Sequence, residues 1–262
     1  MFDRHFHMSA LPFTEHIPVN RIHRDERFTQ ALARLHYFVT NGTLALITGI
    51  TGTGKSTLVK LFLSSLPHNI AGSYLHITQL RASSFLKLVA LSIGLQPAFT
   101  KEKVFQQILD KVRSSDLTYI LLVDESQLLS QQVLTDLRLL VSSALDDFPA
   151  LKIVLVGQPS LKTKLEHPNL ADLWHRISIR YSLKPFTKQQ TQQYLDSQFQ
   201  SVGANPSIFA TEVADLIFDY SHGIPRQINQ IATANLISAA TKNLQKVDLN
   251  LFSQTMNDFH LQ

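Results

Sequence analysis

The sequence predicts an α/β protein in which a parallel sheet lies between helices and a small all-α domain follows. Short apolar runs alternate with longer helical patterns from Leu44 to Tyr181. Runs that are apolar on both faces are typical of parallel strands covered by helices on each side. After Pro185 only helical patterns occur. We therefore expect the α/β core to give way to the helical domain near Lys184–Phe186.

Composition excludes several classes of protein. The chain has 262 residues, of which 44% are hydrophobic and 17% charged, so it can bury a sizeable core and is not a disordered chain. It contains no cysteine, which excludes disulfides and cysteine-based zinc sites. No apolar run approaches the length of a membrane span, and Met1–Phe13 lacks the apolar centre of a signal peptide. We expect a cytoplasmic protein, whose net charge of +4 permits contact with phosphate backbones.

The strands and helices of the core follow from these patterns. Strands are predicted at Leu44–Thr48, Ser73–His76, Tyr119–Val123, Lys152–Val156 and Ile177–Tyr181. Helices are predicted at Lys55–Ser65, Ser83–Ile93, Glu102–Arg113 and Gln131–Leu145.

Four helices are predicted in the region after the core. They lie at Thr187–Ser201, Thr211–Ser221, Pro225–Lys242 and Asp248–Phe259. Thr187, Thr211 and Asp248 are candidate N-caps, because their side-chain oxygens can accept hydrogen bonds from the free N–H groups of a first turn. Pro225 suits a first helical turn, where its missing N–H is not needed.

One glycine-rich segment matches the complete phosphate-binding loop pattern. Its residues are Gly49, Ile50, Thr51, Gly52, Thr53, Gly54, Lys55 and Ser56, followed by Thr57. Glycines let backbone N–H groups turn inward around a phosphate, and the helix that follows adds its N-terminal dipole. Lys55 is predicted to bridge the β- and γ-phosphates of ATP, Ser56 to hold magnesium, and Thr57 to bond the α-phosphate. The apolar strand before the segment and the amphipathic helix after it favour a nucleotide site over an empty turn.

Two adjacent carboxylates follow the apolar strand at Tyr119–Val123. The carboxyl ends of parallel strands are where ligands of such sheets bind. We predict that Asp124 holds magnesium through its water shell and that Glu125 is the general base for the attacking water. A solvated turn is the alternative, and the phosphate-binding loop earlier in the chain argues against it.

Two further side chains are candidate sensors of the γ-phosphate. Gln158 ends the strand at Lys152–Val156, where an amide can reach the γ-phosphate or the attacking water; a simple turn before Pro159 is the alternative. Arg226 begins a helix of the C-terminal domain, from which it can fold back onto the γ-phosphate of its own chain.

An arginine is predicted to act in a neighbouring subunit. Arg176 lies just before the strand at Ile177–Tyr181, and a guanidinium at a subunit edge can neutralise transition-state charge in the next site. Arg180 is the competing candidate. An ordinary surface salt bridge is the alternative role.

Taken together, these motifs resemble those of the ExeA (GspA)-type AAA+ ATPases, whose relatives include TnsC-like transposition regulators. The matching segments run nearly end to end. They are Leu11–Phe13, the helix Ala31–Phe38, Thr48–Ser56, Asp124–Leu129, Leu137–Leu140, Val156–Pro159, Arg176–Tyr181 and Gly223–Asn229.

The resemblance implies an AAA+ module in three regions: an N-terminal segment with a leading helix (1–43), a P-loop ATPase core (44–184) and a helical lid (185–262). It also implies ATP and magnesium as cofactors, and a homo-oligomer, in a ring or filament, with arginine contacts across subunits. Stand-alone relatives of this length are bacterial ATPases of mobile elements, which assemble on duplex DNA and act beside a DDE-type transposase.

Four basic residues are candidate contacts to DNA phosphates, because they lie between the two ATP motifs where related ATPases place DNA-facing elements. They are Arg81, Lys87, Lys101 and Lys103. The alternative for each is an exposed position on a helix surface with no contact to DNA.

Two other functions stay open. A soluble ATPase that assists assembly of a cell-envelope secretion complex is one. A nucleotide-binding scaffold with little turnover is the other, and the presence of Glu125 argues against it.

Overall fold

The computed structural model describes residues 2–15, 17–78, 81–142 and 151–260. The chain divides into two compact units. The α/β unit comprises Glu26–Thr51 and the described residues of Lys55–Leu183. The helical unit comprises the described residues of Met1–Asp25, Gly52–Gly54 and Lys184–Gln262. Gly52–Gly54, in the middle of the phosphate-binding loop, thus group with the helical unit, whereas the rest of the loop groups with the α/β unit.

A five-stranded sheet with the order β2-β3-β4-β1-β5 forms the centre of the α/β unit, and all its neighbouring strands pair in parallel. The strands are β1 (Leu44–Thr48), β2 (Ile70–His76), β3 (Thr118–Asp124), β4 (Leu151–Gly157) and β5 (Ile177–Ser182). Each predicted strand is present, and all except β1 extend beyond the predicted bounds. The prediction of a parallel sheet between helices is confirmed.

The central strands were readily predicted from sequence because they are almost entirely buried. Every residue of β1 and β4 is buried, and so are six of the seven residues of β3. Strands β2 and β5 lie at the two edges of the sheet, where half-buried and exposed positions alternate in part and only the first residue of β5 is buried. A run of apolar residues therefore marks the centre of this sheet, whereas its edges tolerate polar side chains.

Helices connect the strands and build the second unit. In chain order the described helices are α1 (Phe2–His5), α2 (Glu26–Asn41), α3 (Lys55–Ser64), α4 (Ala82–Ser92), α5 (Lys101–Arg113), α6 (Gln131–Ser142), α7 (Pro159–Leu165), α8 (Ala171–Arg176), α9 (Lys188–Gln200), α10 (Thr211–Ser221), α11 (Pro225–Thr241) and α12 (Leu249–His260). The predicted end of α6 at residues 143–145 lies outside the described residues. Helix α7 was not predicted. No helix within the described ranges is both long and apolar enough to cross a membrane.

The helical unit has a core of its own, formed by helices α9 to α12 together with apolar side chains from the start of the chain. Phe13 packs edge-on against Phe199 of α9, with ring centroids 5.3 Å apart. Phe2, Phe6 and Met8 are buried in the same cluster. The N-terminal segment therefore contributes to the hydrophobic core of this unit.

The predicted helix starts are mostly confirmed. Thr187 caps α9 in a capping box with Gln190, and Asp248 accepts a hydrogen bond of 2.8 Å from the N–H of Leu251. Pro225 occupies the first turn of α11. Thr211 is a wrong prediction, because it is the first residue inside α10 and the preceding residue, an alanine, has no side chain that can cap.

Candidate active site

The phosphate-binding loop connects β1 to α3. Gly52 and Gly54 have φ angles of 86° and 100°, in the left-handed region that favours glycine. The N–H of Gly49 donates to the carbonyl of Gly157, at 3.1 Å, and so ties the start of the loop to the end of β4. Thr53 is buried in the loop, whereas Ile50 and Thr51 are exposed. The loop thus has the backbone conformation that the glycine spacing predicted.

Lys55 is the first residue of α3, and its side chain bonds to the backbone of the preceding loop. Its Nζ donates to the carbonyls of Gly49, at 2.9 Å, and Ile50, at 3.2 Å, and the residue is buried. A buried ammonium beside a glycine loop at the start of a helix favours an anion, because the ammonium and the free N–H groups of the first helical turn both attract negative charge. The residues present therefore fit a nucleotide phosphate at this loop.

A pair of hard oxygen atoms lies beside the loop. Ser56 Oγ, in the first turn of α3, donates to Oδ2 of Asp124 at 3.1 Å. Asp124 ends β3 and is only 2% exposed. A hydroxyl and a carboxylate are ligands that magnesium prefers, directly or through water. The structure therefore brings together the two predicted magnesium residues, Ser56 and Asp124, which are 68 positions apart in sequence.

Tyr74 is a member of this group that the sequence did not reveal. Its hydroxyl donates to the same Oδ2 atom of Asp124, at 2.6 Å. Burial raises the pKa of Tyr74 above its ordinary value, and the hydrogen bond to Asp124 raises it further. No motif marks this tyrosine, because its position depends on the parallel pairing of β2 with β3.

Glu125 follows Asp124 in a left-handed backbone conformation, with φ 55° and ψ 33°. Its N–H donates to Oδ1 of Asp124 at 2.8 Å. Its carboxylate atom Oε2 accepts a hydrogen bond of 2.5 Å from Nε2 of Gln127. The tight turn places the two adjacent carboxylates in different surroundings, since Asp124 is buried and Glu125 is partly exposed.

Gln158 directly follows β4, which is the neighbour of both β3 and β1 in the sheet. Its backbone N–H donates to Oε1 of Gln127 at 3.1 Å. Its side chain has no hydrogen bond to any residue that the structure describes. Because β1, β3 and β4 are parallel, the phosphate-binding loop, Asp124 and Gln158 follow carboxyl ends at one edge of the sheet.

The two candidate trans arginines differ in their surroundings. The guanidinium carbon of Arg180 lies 3.7 Å from the centre of the Trp174 ring, and its Nη2 donates to the Trp174 carbonyl at 2.7 Å. Arg176, at the end of α8, is exposed, and its side chain has no partner within the described residues. Arg180 is therefore held by its own chain, whereas no residue that the structure describes holds Arg176.

Arg226 and Gly52 are grouped in the same unit. The N–H of Arg226 donates to the carbonyl of Gly52 at 3.2 Å. A Cβ atom on Gly52 would lie 2.9 Å from Ile224 Cγ2 and 3.0 Å from Arg226 Cβ. The guanidinium of Arg226 lies 3.8 Å from the carboxylate of Glu15. The start of α11 thus contacts the middle of the phosphate-binding loop directly.

The four candidate DNA contacts have different environments. Arg81 and Lys103 are exposed. Lys87 Nζ lies 5.7 Å from the centre of the Phe99 ring. Lys101 forms a 2.8 Å ion pair with Asp136, which is buried, so that its charge is already compensated within the chain.

Comparisons with known proteins agree with this geometry. Residues 39–165 match the AAA domain family. The structure superposes on Aeropyrum pernix ORC2, in its ADPNP-ADP complexes, with a TM-score of 0.74 at 15% identity, covering 95% of this chain and 71% of that one. The chain has the P-loop AAA fold. Aeropyrum pernix ORC1 in complex with DNA shares this AAA fold, with a TM-score of 0.65 at 16% identity over 94% of this chain and 67% of that one.

One curated relative is similar along almost the whole chain. General secretion pathway protein A of Aeromonas hydrophila is 32% identical over 255 residues, which is 94% of this chain and 46% of that protein. The chain thus spans about half the length of this relative. The AAA domain match and this similarity agree with the resemblance to ExeA/GspA-type proteins that the motifs indicated.

Proposed function

We propose that the protein binds ATP with magnesium at the phosphate-binding loop and hydrolyses it to ADP and phosphate. The observation that carries this proposal is the 3.1 Å hydrogen bond between Ser56 and Asp124, beside a loop that already holds Lys55. These two residues are 68 positions apart in sequence, and together they would hold magnesium beside a phosphate. Magnesium, when bound, would neutralise charge on the phosphate oxygens.

The residues of the chain have separate tasks in this reaction. Backbone N–H groups of the loop and the N-terminus of α3 hold the phosphates, and Lys55 adds a positive charge. Glu125 accepts a proton from the attacking water, because it is the less buried of the two carboxylates and is not the one bonded to Ser56. Gln158, at the end of the neighbouring strand, senses the γ-phosphate.

Two arginines complete the proposed site. Arg226 acts in its own chain, and its backbone contact to Gly52 supports this assignment. Arg176 acts in a neighbouring subunit of an ATP-dependent homo-oligomer, since it is exposed and lacks a partner in the described residues, whereas Arg180 is stacked on Trp174. A guanidinium supplied in trans stabilises the charge of the transition state.

Two biological roles are compatible with such an ATPase. In the first, the oligomer assembles on duplex DNA and regulates transposition with a DDE-type transposase. The exposed basic residues Arg81 and Lys103, and the fold shared with the DNA-bound ORC1 protein, support a DNA partner. In the second, the ATPase assists assembly of a secretion complex in the cell envelope. The 32% identity to general secretion pathway protein A favours this second role.

ATP hydrolysis by the wild type, Glu125→Gln and the control Glu212→Gln, with and without duplex DNA at two salt concentrations, tests these proposals. Glu212 is an exposed carboxylate at the start of α10, so its variant controls for loss of one charge. We expect Glu125→Gln to bind ATP and to lose turnover, and Glu212→Gln to retain it.

The effect of DNA separates the two roles. Stimulation by DNA that weakens at higher salt supports the DNA-bound regulator. Turnover that is indifferent to DNA, with no ATP-dependent DNA binding at low salt, excludes that role and favours the secretion role. Equal turnover in the wild type and Glu125→Gln contradicts the assignment of the base.

A further inference from the structure

Gln127 joins the ends of two neighbouring strands through its side chain. Its Nε2 donates to Oε2 of Glu125, at 2.5 Å, and its Oε1 accepts from the N–H of Gln158, at 3.1 Å. Glu125 directly follows β3, and Gln158 directly follows β4. One side-chain amide therefore connects the proposed general base to the strand end that carries the proposed sensor.

The chemistry of the two partners fixes the orientation of this amide. A carboxylate oxygen can only accept, so it requires the NH₂ end of the amide, and a backbone N–H can only donate, so it requires the oxygen. The reverse orientation would place an oxygen against the carboxylate of Glu125 and an NH₂ against the N–H of Gln158. Both contacts would then be repulsive.

The backbone at and before Gln127 is held by hydrogen bonds, and a glycine leaves room for its side chain. Lys164 Nζ donates to the backbone carbonyl of Gln127, at 3.0 Å, and also to the carbonyl of Leu129. Ser126 Oγ donates to the carbonyl of Val123 at 2.6 Å and is fully buried. Gly157 leaves the space that the amide needs, because a Cβ there would lie 2.6 Å from Oε1 of Gln127.

This arrangement constrains the carboxylate of Glu125. Oε2 is held by Gln127, whereas Oε1 has no hydrogen-bond partner among the residues that the structure describes. Glu125 itself has a left-handed backbone directly after the end of β3. A general base must present one oxygen to the water at a fixed angle, so an anchor on the other oxygen limits its rotation.

We propose that Gln127 is a positioning residue for ATP hydrolysis, which fixes the carboxylate of Glu125 and couples it to the end of β4. This inference rests on the proposed ATPase function. Gln127 acts through Glu125 and has no part in binding the nucleotide. Its removal therefore lowers kcat and leaves the affinity for ATP unchanged.

The test compares four variants in steady-state and single-turnover ATP hydrolysis. Gln127→Met keeps the length of the side chain and removes both hydrogen bonds. Gln127→Glu keeps an acceptor for the N–H of Gln158 and cannot donate to Glu125 when ionised. Gln132→Met is the matched control, at an exposed position on α6. The fourth variant combines Glu125→Gln with Gln127→Met.

We expect Gln127→Met and Gln127→Glu to lower kcat by about 10- to 100-fold, with KM and the Kd for a fluorescent ATP analogue within about twofold of the wild type. Gln132→Met should retain the wild-type kcat. Adding Gln127→Met to Glu125→Gln should cause no further loss, because the two residues act as a unit. Thermal unfolding of each variant shows whether it is folded, and Gln127→Glu keeps the test valid if Gln127→Met is not.

Three results would overturn the inference alone. They are a wild-type kcat in both Gln127 variants, a wild-type kcat in Gln127→Glu only, and a further loss when Gln127→Met is added to Glu125→Gln. The second would show that the contact with Gln158 matters and the contact with Glu125 does not. If the wild type itself neither binds nor hydrolyses ATP, the proposed function fails and the inference fails with it.

Discussion

Gly223 supports the start of α11, and replacing it by alanine should destabilise the helical unit strongly. Its φ angle is 71°, and a Cβ there would lie 2.0 Å from the carbonyl oxygen of Phe186 and 2.9 Å from its carbonyl carbon. The same segment is held by a hydrogen bond of 2.8 Å from the N–H of Phe186 to the carbonyl of Gly223. The backbone atoms of Phe186 cannot move aside without breaking this bond.

The chain offers a matched control for the conformational part of this cost. Gly203 has a φ angle of 73°, and a Cβ there would have nothing within 4 Å. Gly203→Ala therefore measures the strain of a left-handed alanine alone, about 1–2 kcal/mol. Gly223→Ala adds the clash and the lost backbone hydrogen bond, so we expect a total of about 4 kcal/mol.

Urea unfolding followed by circular dichroism measures both changes in unfolding free energy. A difference of about 2 kcal/mol or more between the two variants supports the steric account. Equal losses would refute it, because they would show that the segment at Phe186 yields without cost. The result also bears on function, since Gly223 precedes the turn that brings Arg226 to the carbonyl of Gly52.

Three other predictions test single groups. Arg176→Ala should lower the ATPase rate of the oligomer by about 10³-fold, measured with ATP and magnesium above KM, whereas Arg180→Ala should mainly lower stability; the opposite pattern would assign the trans arginine to Arg180. Tyr74→Phe should weaken magnesium binding by about 10-fold, measured by titrating magnesium against turnover, because it removes a hydrogen bond that orients Asp124; an unchanged magnesium requirement would contradict this role. Burial lowers the pKa of Lys152, so the unfolded chain binds more protons than the folded chain at alkaline pH. The free energy of unfolding should therefore rise with pH toward the ordinary lysine pKa of about 10.4. Lys152→Met should remove this part of the rise, and an unaltered pH profile of urea unfolding would refute it.

The central part of the fold could be predicted from the sequence because its signals are local. Strand β1 was predicted with the observed bounds, since all five of its residues are apolar or buried and a glycine loop follows directly. The predicted start of β2 was three residues late, at Ser73 instead of Ile70, because β2 is an edge strand with Gly72 in its interior and only partial burial. Helix α7 was missed because it has only seven residues and begins with a proline, a residue that also marks turns.

The candidate site divides in the same way between local and distant information. Lys55, Ser56 and Asp124 are part of motifs whose order along the chain already implies their chemistry. Tyr74 belongs to no motif, and Gln127 lies within the matching segment Asp124–Leu129 but was given no role there. Their roles depend on hydrogen bonds between side chains of neighbouring strands and turns, at 2.6 Å and 2.5 Å, which no pattern in one sequence contains.

The contrast between Asp124 and Glu125 shows how the fold separates two identical functional groups. Asp124 is the last residue of β3, so its carboxylate lies at the buried sheet edge and accepts hydrogen bonds from two hydroxyl groups. The next residue, Glu125, has a left-handed backbone, and its carboxylate accepts a hydrogen bond from the amide of Gln127 instead of from hydroxyl groups. Hydroxyl groups around a buried carboxylate suit a metal site, whereas a carboxylate with one oxygen fixed and the other without a partner among the described residues suits a base. The sequence therefore provides two adjacent carboxylates, and the turn at Glu125 together with Gln127 gives them the different surroundings that suit a metal ligand and a base.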